Sequence, residues 1–325
     1  MKLGNLYSIQ HCPIVNSTTD NFQIRSPDRT IPTSRIIVDC PLCGIHSGRK
    51  FEKYSHWIRS CQSCGHQFLE ETPPTDHVIQ VYGDDYFYGG AAGYPDYLAE
   101  GKLVRDHGRR YGKLLARYVQ PGIMLDVGAA AGFILNGFFD HHWQGDGIEP
   151  NDRMAAFGRD QLGLNIQTGS LEDLPQILPD RTYDLVTMIQ VIPHFYDLHQ
   201  AMNAANNVTK PGGHWLIETW NRESSIAKFC GAQWHEYSPP SVLRWFSPND
   251  LNQMAATYGF KVIAQGRPQK WINGAHVKSL LGYKFKSLPG GRFLNVLLKL
   301  VPDRLRIPYP SEDLFWVLFQ KESQN

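Results

Sequence analysis

The 325-residue sequence lacks the marks of a membrane-spanning, exported or nucleic-acid-coating protein. None of its apolar runs approaches the ~20 residues that span a bilayer, and the first twenty residues contain no apolar core of signal-peptide length. Basic and acidic side chains number 32 and 31, for a net charge of +1. Proteins that coat a phosphate backbone carry a basic excess, so this balance disfavours a nucleic-acid partner. We therefore expect a cytoplasmic protein.

The sequence also lacks internal repeats and low-complexity segments, and its hydrophobic content of 42% allows a sizeable core. Shifts in composition predict a leader at 1–35, a cysteine-bearing segment at 36–72, a helical lid or connector at 77–120, and an α/β domain at 121–325 with a helical insertion at about 267–311. Within the insertion, 288–306 combines an apolar helical face with basic residues. We expect it to pack over the sheet or in a dimer contact rather than on a membrane. The oligomeric state is left open.

Four of the six cysteines form two CxxC pairs. Cys40 and Cys43 are separated from Cys61 and Cys64 by the 17 residues 44–60, and a glycine follows each pair. This spacing is typical of a zinc site, and the glycines permit the tight turns that aim main-chain N–H groups at sulfur. Four thiolates fill a tetrahedron and leave no position for water, which predicts a structural Zn²⁺. The alternatives are a redox dithiol or four free thiols.

From residue 123 the sequence alternates apolar strands with amphipathic helices. Strands are predicted at IMLDVGA, WQGDGIEP, NIQTG, YDLVTMIQVI and GGHWLIET, and a last apolar strand at EDLFWVLFQK (312–321). Asn151 or Asp152 can cap the second helix of this series, and Ser170 with Asp173 predicts a capping box for a short helix, SLEDLPQIL. The pattern predicts an α/β fold with a Rossmann-like, doubly wound, seven-stranded and mainly parallel sheet, preceded by a small zinc ribbon.

The loop DVGAAAGF follows the first strand of this series, where doubly wound folds bind ligands. Gly128 permits a tight turn and Gly132 permits close helix packing, while Ala130 stands where glycine is more usual. Ala130 would crowd a pyrophosphate and Asp126 would repel one, so both disfavour NAD and FAD. Glu149 ends the second strand, 21 positions after Gly128. A carboxylate there is expected to accept hydrogen bonds from ribose hydroxyls.

The segments LDVGAAAGF, GIEP, GSLEDL and YDLVTMIQVIPH together resemble the class I S-adenosylmethionine-dependent methyltransferases, over about residues 80–265 and the closing strand. The resemblance extends to bacterial members with a four-cysteine zinc ribbon and a tyrosine-rich stretch like 84–97. It implies S-adenosylmethionine and structural Zn²⁺ as cofactors. The cofactor contacts that it implies are Asp126, Gly128, Ala130, Gly132, Glu149, Ser170, Leu171, Gln190, Tyr94 and Tyr97. Of these, the two tyrosines would form part of a lid.

Methyl transfer from a sulfonium requires alignment of nucleophile, methyl group and sulfur, and a hydroxyl nucleophile also gains from a general base. Pro193 and Val242 stand where members of the family often have glutamate and histidine, so the resemblance supplies no base. His194 follows the fourth strand and His235 lies in the aromatic segment GAQWHEYSPP. We take both as candidate catalytic residues. A main-chain hydrogen bond for His194 and a surface loop for His235 are the alternatives.

The sequence thus predicts an enzyme that methylates a small molecule or the sugar of a glycan, with oxygen favoured as the acceptor atom. One alternative is an RNA methyltransferase whose ribbon grips nucleic acid, which the near-neutral charge disfavours. Another is a cofactor-binding scaffold without turnover. A dehydrogenase is the most distant alternative.

Overall fold

The computed structural model describes residues 36–74, 97–274, 305–309 and 311–323, together with the single positions 77, 81, 83, 87, 278, 300 and 302. The predicted leader, Tyr94 and most of the predicted insertion lie outside the described residues. Among the residues described, no helix has both the length and the apolar character needed to cross a membrane.

Thirteen strands occur in the described part of the chain. They are β1 (Ser47–Lys53), β2 (His56–Cys61), β3 (Gln67–Leu69), β4 (Ile123–Val127), β5 (Gln144–Glu149), β6 (Asn165–Thr168), β7 (Tyr183–Ile189), β8 (Thr209–Trp220), β9 (Arg244–Trp245), β10 (Phe260–Gly266), β11 (Lys270–Asn273), β12 (Arg306–Tyr309) and β13 (Leu314–Lys321). The α-helices are α1 (Gly101–Leu115), α2 (Phe133–Phe139), α3 (Asp152–Leu162), α4 (Leu174–Ile177), α5 (Leu198–Val208), α6 (Ser225–Cys230) and α7 (Pro248–Thr257). Short 3₁₀ turns span Ile192–His194 and Gly231–Gln233.

The main sheet has seven strands in the order β10-β13-β8-β7-β4-β5-β6. The strands from β8 to β6 are parallel, and β13 is inserted antiparallel between β8 and β10. This confirms the predicted fold class. Because the carboxyl ends of parallel strands lie at one edge of a sheet, the residues after β4, β5 and β7 meet there.

Both faces of the sheet are buried under helices, as a doubly wound fold requires. One core contains apolar side chains of α5 and α7 packed on β7 and β8, among them Met202, Leu251, Val186 and Ile217. The opposite core contains α1 and α2 packed on the same strands, with Leu115, Phe138, Leu185 and Leu216. Successive side chains of β7 enter these two cores in turn, which explains why its sequence is largely apolar.

Some helices begin where the sequence predicts, and others do not. The Asn151 side chain accepts from the main-chain N–H of Met154 at 2.9 Å and caps α3. The predicted capping box at Ser170 is wrong, because α4 begins only at Leu174 and Asp173 is its N-cap residue. Ser170 instead donates from Oγ to Asp173 Oδ2 at 2.7 Å.

The segment predicted as a helical insertion is bounded by strands where it is described. β11 and β12 pair antiparallel as a separate two-stranded sheet. The helical prediction for 288–306 lies almost entirely outside the described residues, apart from isolated positions and the start of β12.

The cysteine-bearing segment folds as an antiparallel sheet that shares a strand with the α/β domain. Its order is β1-β2-β3-β9, and β9 comes from the aromatic segment downstream of β8. Gln67 pairs with Trp245 and Phe68 pairs with Arg244. The zinc-ribbon sheet therefore includes one strand of the larger domain.

Candidate functional site

The loop after β4 has the conformation of a ligand-binding turn. Gly128 and Gly132 have φ values of 67° and 80°. A Cβ on Gly128 would lie 2.4 Å from Val191 Cγ1, and one on Gly132 would lie 2.4 Å from Leu164 Cδ1. Both positions therefore require glycine for packing as well as for dihedral angle. Ala130, with φ 48°, adopts a left-handed conformation that is uncommon for a residue with a side chain.

Glu149 is joined to this loop by its side chain. Its Oε2 atom accepts from the main-chain N–H of Ala130 at 2.8 Å, and its Oε1 atom accepts from that of Asn151 at 2.9 Å. The side chain is buried. Burial raises the pKa of the Glu149 carboxyl to about 7, against these two hydrogen bonds, which lower it.

Asp126 is a second buried carboxyl group beneath the loop. Its Oδ1 atom accepts from Thr187 Oγ1 at 2.6 Å, while its Oδ2 atom is buried with no hydrogen-bond partner among the described residues. Burial raises the pKa of Asp126 to about 7. A buried acceptor atom without a donor is costly, so this atom fits a site for a ligand that donates.

The contacts of Asp126 and Glu149 indicate which kind of ligand the loop can bind. The donors to Asp126 and Glu149 are a hydroxyl and main-chain N–H groups, and no Lys or Arg side chain bonds to either carboxylate in the described part of the chain. Two buried acids disfavour a pyrophosphate and fit a ligand with hydroxyl and ammonium donors. S-adenosylmethionine has both on its ribose and its methionine part, so the residues present fit this cofactor.

Of the other predicted cofactor residues, Tyr97 lies beside the same loop, and Tyr94 is outside the described residues. Tyr97 is buried in one cluster with Ala130, and its ring centre lies 5.7 Å from that of Phe133. Leu171 is buried in the same apolar core as Ile148 and Val127. Ser170, partly buried, bonds to Asp173 as described above.

Gln190 follows β7 in a left-handed conformation, with φ 59°. Its main-chain N–H donates to the carbonyl oxygen of Glu218 at 2.8 Å, and its Nε2 atom donates to Glu218 Oε1 at 2.7 Å. The next residue, Val191, contacts Gly128. The structure therefore brings Gln190 to the cofactor loop, held by Glu218.

His194 lies in the 3₁₀ turn that follows Gln190. Its Nδ1 atom donates to the carbonyl oxygen of Ser241 at 2.8 Å. Burial lowers the pKa of His194 to about 4, although this hydrogen bond opposes the shift. The ring is therefore neutral at physiological pH, with the proton on Nδ1 and an unprotonated Nε2 atom. The main-chain bond expected as the alternative is present, and it is compatible with a role as a base.

His235 lies in a different environment, beyond the end of β8. Its ring is packed edge-on against Trp220, with centres 4.7 Å apart. Its ring nitrogens lie 3.7 Å from Glu236 Oε1 and 3.9 Å from Asp313 Oδ2, and only 9% of its side chain is exposed. The surface-loop alternative therefore does not describe His235, which is enclosed by aromatic and acidic side chains.

Two buried groups at this edge of the sheet, Thr187 and Glu218, were not predicted from the sequence. Thr187 lies within the predicted strand YDLVTMIQVI, and its hydroxyl faces Asp126. Glu218 lies within GGHWLIET, and its carboxylate binds Gln190 together with two side chains of α1, His107 and Tyr111. The sequence signal for both residues was a polar side chain near the end of a buried strand.

The four CxxC cysteines converge as predicted. The Sγ atoms of Cys40 and Cys64, of Cys43 and Cys61, and of Cys43 and Cys64 lie 3.5–3.6 Å apart, and all four lie within 4.8 Å of one another. Tetrahedral Zn–S bonds of ~2.3 Å place sulfur atoms about 3.8 Å apart. The N–H groups of Leu42 and Ser63 point at Cys40 and Cys61 sulfur. The donor set fits a structural Zn²⁺.

The ribbon is held to the α/β domain by buried polar contacts as well as by β9. His66 Nδ1 lies 3.2 Å from Asp250 Oδ2. Asp250 belongs to the capping box of α7 and also accepts from Arg222. The Tyr237 hydroxyl donates to Gln67. The contacts of His66 and Gln67 each pair a ribbon residue with a residue beyond β8, so the ribbon has a fixed place beside the site.

The ribbon reaches the turn that carries His194 through the segment at β9. Leu69 N–H donates to Leu243 O at 2.9 Å, and Leu243 N–H donates to Pro193 O at 3.0 Å. The Arg244 guanidinium donates to the carbonyl oxygens of Phe195 and Tyr196. A continuous series of hydrogen bonds thus runs from β3 to the turn after β7.

Comparison with known proteins also indicates a methyltransferase. A family model described as a methyltransferase domain matches residues 103–265. A protein of Mycolicibacterium smegmatis named as an S-adenosylmethionine-dependent methyltransferase is 29% identical over 176 residues, which are 52% of this chain and 63% of that protein. A ubiquinone biosynthesis O-methyltransferase of Nitrosospira multiformis is 26% identical over 43% of this chain and 62% of its own length.

Among solved structures, an S-adenosylmethionine-dependent methyltransferase of Archaeoglobus fulgidus is similar, with a TM-score of 0.45 and 17% identity over 69% of this chain and 99% of that chain. The chain spans only 51–63% of the length of the first curated relatives it matches. The family match itself covers half of the 325 residues and includes the loop with its two buried carboxyl groups. The chain therefore belongs to the class I S-adenosylmethionine-dependent methyltransferase family.

Proposed function

We propose that this protein transfers the methyl group of S-adenosylmethionine to a hydroxyl oxygen of a small molecule or of a glycan sugar. The observation that carries the proposal is the pair of buried carboxyl groups, Asp126 and Glu149, at the turn between Gly128 and Gly132. Their donors in the protein are neutral, and Asp126 Oδ2 has no donor among the described residues.

Each cofactor residue has a definite part in this proposal. Glu149 accepts hydrogen bonds from the ribose hydroxyls, and Asp126 accepts from the amino group of the methionine part. Ser170 and Leu171 border the adenine. Gln190 and Tyr97 flank the methionine part, with Tyr97 as the described portion of a lid. Bound S-adenosylmethionine supplies an activated methyl group, so the protein's main task is to align the acceptor with it.

His194 is the base in this proposal. Its Nδ1–H bond to Ser241 fixes the ring, and its depressed pKa keeps Nε2 unprotonated and able to accept the proton of an acceptor hydroxyl. We propose that His235 acts at the end of the site that binds the acceptor. Trp220 and Trp234 pack against its ring there.

Oxygen is favoured as the acceptor atom by two observations. Several relatives are named ubiquinone biosynthesis O-methyltransferases. A neutral buried histidine also suits a hydroxyl, which must lose a proton as it is methylated, better than a thioether or a carbanion. The aromatic segment around His235 suits a ring-shaped acceptor, since faces of tryptophan and tyrosine stack on rings.

Bound Zn²⁺ is part of the proposal, with Cys40, Cys43, Cys61 and Cys64 as its ligands. Four protein ligands leave no position for a substrate, so its role is structural.

The experiment is label transfer from methyl-tritiated S-adenosylmethionine. Purified protein is incubated with a panel of phenols, free sugars and small-molecule cell extract, and products are separated after acid and base treatment. Base-stable label on a hydroxyl compound is expected. Label on RNA added in parallel would favour the nucleic-acid alternative. Cofactor binding without label transfer to any fraction would favour the scaffold alternative.

A further inference from the structure

The carboxylate of Glu218 lies behind the turn that carries Gln190, and the cofactor scheme above does not use it. Glu218 belongs to β8, is fully buried, and lies opposite Ile189 of β7. Three side chains surround its carboxylate. Gln190 Nε2 donates at 2.7 Å, the Tyr111 hydroxyl also donates, and His107 Nε2 lies 2.9 Å away.

Three donors keep this buried carboxylate ionised. Burial opposes ionisation, but the hydrogen bonds from His107, Tyr111 and Gln190 favour the charged form of Glu218 and lower its pKa. This contrasts with Asp126 and Glu149, whose carboxyl groups have raised pKa values. Glu218 is thus an anion throughout the physiological pH range.

The ring of His107 does not cancel this charge. An Arg110 guanidinium nitrogen lies 3.2 Å from His107 Nδ1. Arginine has no acceptor atom, so Nδ1 must accept and the ring proton is on Nε2, which donates to Glu218. His107 is then neutral. Arg110 lies on the other side of the imidazole from Glu218, so the carboxylate is the charge in direct contact with Gln190.

The sheet order places this anion near the reactive end of the proposed cofactor. The order from one edge is β6-β5-β4-β7-β8. If Glu149 on β5 holds the ribose and the residues after β6 hold the adenine, the methionine part would extend over β4 and β7. Gln190 ends β7 and its neighbour Val191 contacts Gly128. The sulfonium of a cofactor bound in this way would lie at the side of the cleft that Gln190 and Glu218 form.

We propose that Glu218 is a specificity-determining residue that makes the cleft prefer the cationic sulfonium of S-adenosylmethionine to the neutral thioether of S-adenosylhomocysteine. It acts across the Gln190 turn, as a fixed negative charge in a site of low dielectric. The two ligands share ribose, adenine, amino and carboxylate groups, so only the charge on sulfur differs. This inference rests on the proposed function, because it assumes that S-adenosylmethionine is the cofactor.

The test compares the dissociation constants of both ligands for wild type and Glu218→Gln, measured by calorimetry on the full chain. We expect the variant to bind S-adenosylmethionine at least about fivefold more weakly, with less than a twofold change for S-adenosylhomocysteine. Glu218→Asp, which keeps the charge, should retain most of the wild-type preference. Asp184→Asn is the matched control, because it removes a carboxylate at the amino end of β7, where Asp184 pairs with Lys210.

An equal loss for both ligands, or no change for either, would overturn the inference and leave Glu218 a structural residue. If Glu218→Gln does not fold, the double variant Glu218→Met with Tyr111→Phe supplies the same comparison, since a buried ion can often be replaced by an apolar side chain of similar volume. Failure of wild type to bind either ligand would instead count against the proposed function.

Discussion

The main-chain N–H of Ala130 donates to Glu149 Oε2 at 2.8 Å, which joins the loop after β4 to the end of β5. This bond holds Ala130 in its left-handed conformation and holds the carboxylate at the mouth of the loop. It also explains how alanine serves at a position where glycine is usual. The cofactor loop is thus held in place by a bond within the protein.

The raised pKa of Glu149 predicts a pH-dependent difference in stability between wild type and Glu149→Gln. The pKa is about 7 in the folded protein against an ordinary 4.5. The folded state therefore binds the proton more tightly, and this stabilisation is present below pH 4.5 and lost as the pH rises through 7. We expect wild type to lose about 2 kcal/mol relative to the variant between pH 5 and pH 8.

Urea denaturation of both proteins without ligand at the two pH values measures this difference. Taking the variant as reference cancels the contribution of His194. A difference that does not change with pH would show that Glu149 is ionised throughout.

The neutral state of His194 predicts the pH profile of methyl transfer. Its pKa is lowered to about 4, so the base is already unprotonated above pH 5 and kcat at saturating cofactor should be flat from pH 5.5 to 8. His194→Asn should lower kcat by about 10²-fold or more and leave cofactor affinity within twofold.

The exposed His199 on α5 provides the control variant, His199→Asn, which should retain wild-type kcat. A wild-type profile rising with an apparent pKa near 6.5, or a His194→Asn variant of normal kcat, would contradict the assignment of His194 as base.

Metal removal should loosen the segment 241–247, which bonds to the His194 turn, while the cofactor loop stays ordered. The path runs from β3 through Leu243 to Pro193, whereas the N–H groups of Gly128 and Ala129 donate to Ile148 within the main sheet. After chelation, or in Cys61→Ser, hydrogen exchange should speed up at least about tenfold across 241–247 and change little across 124–132.

Ser63→Ala, between the ribbon cysteines, is the matched control and should exchange like wild type. Equal protection at 241–247 with and without metal would mean that the ribbon does not support the site.

Patterns local in the chain allowed the strands, the CxxC pairs and the Asp126–Glu149 arrangement to be predicted. The apolar runs of β4, β5 and β7 and the helix α5 lie where their periodicity indicates. Asp126 and Glu149 are predictable because the ends of adjacent parallel strands must meet. The α4 start differs from the prediction, since Asp173 rather than Ser170 is its N-cap residue.

Contacts between distant segments were not predictable from local patterns. The bond of His107 to Glu218 depends on how closely α1 approaches α2, and that approach relies on glycines. A Cβ on Gly108 would lie 2.2 Å from Ile134 O, and one on Gly137 would lie 2.2 Å from Arg105 O. The two-residue strand β9 likewise has too little periodicity to reveal that it completes the ribbon sheet. Both contacts arise from tertiary packing.

The most direct test of the central claim is a calorimetric titration of zinc-loaded protein with S-adenosylmethionine, alongside Glu149→Ala. The account predicts saturable 1:1 binding by wild type and affinity at least about tenfold weaker in the variant, as loss of a charged hydrogen-bond acceptor requires. Equal affinity in both proteins, or no binding by folded wild type with or without acceptor-rich extract, would contradict it.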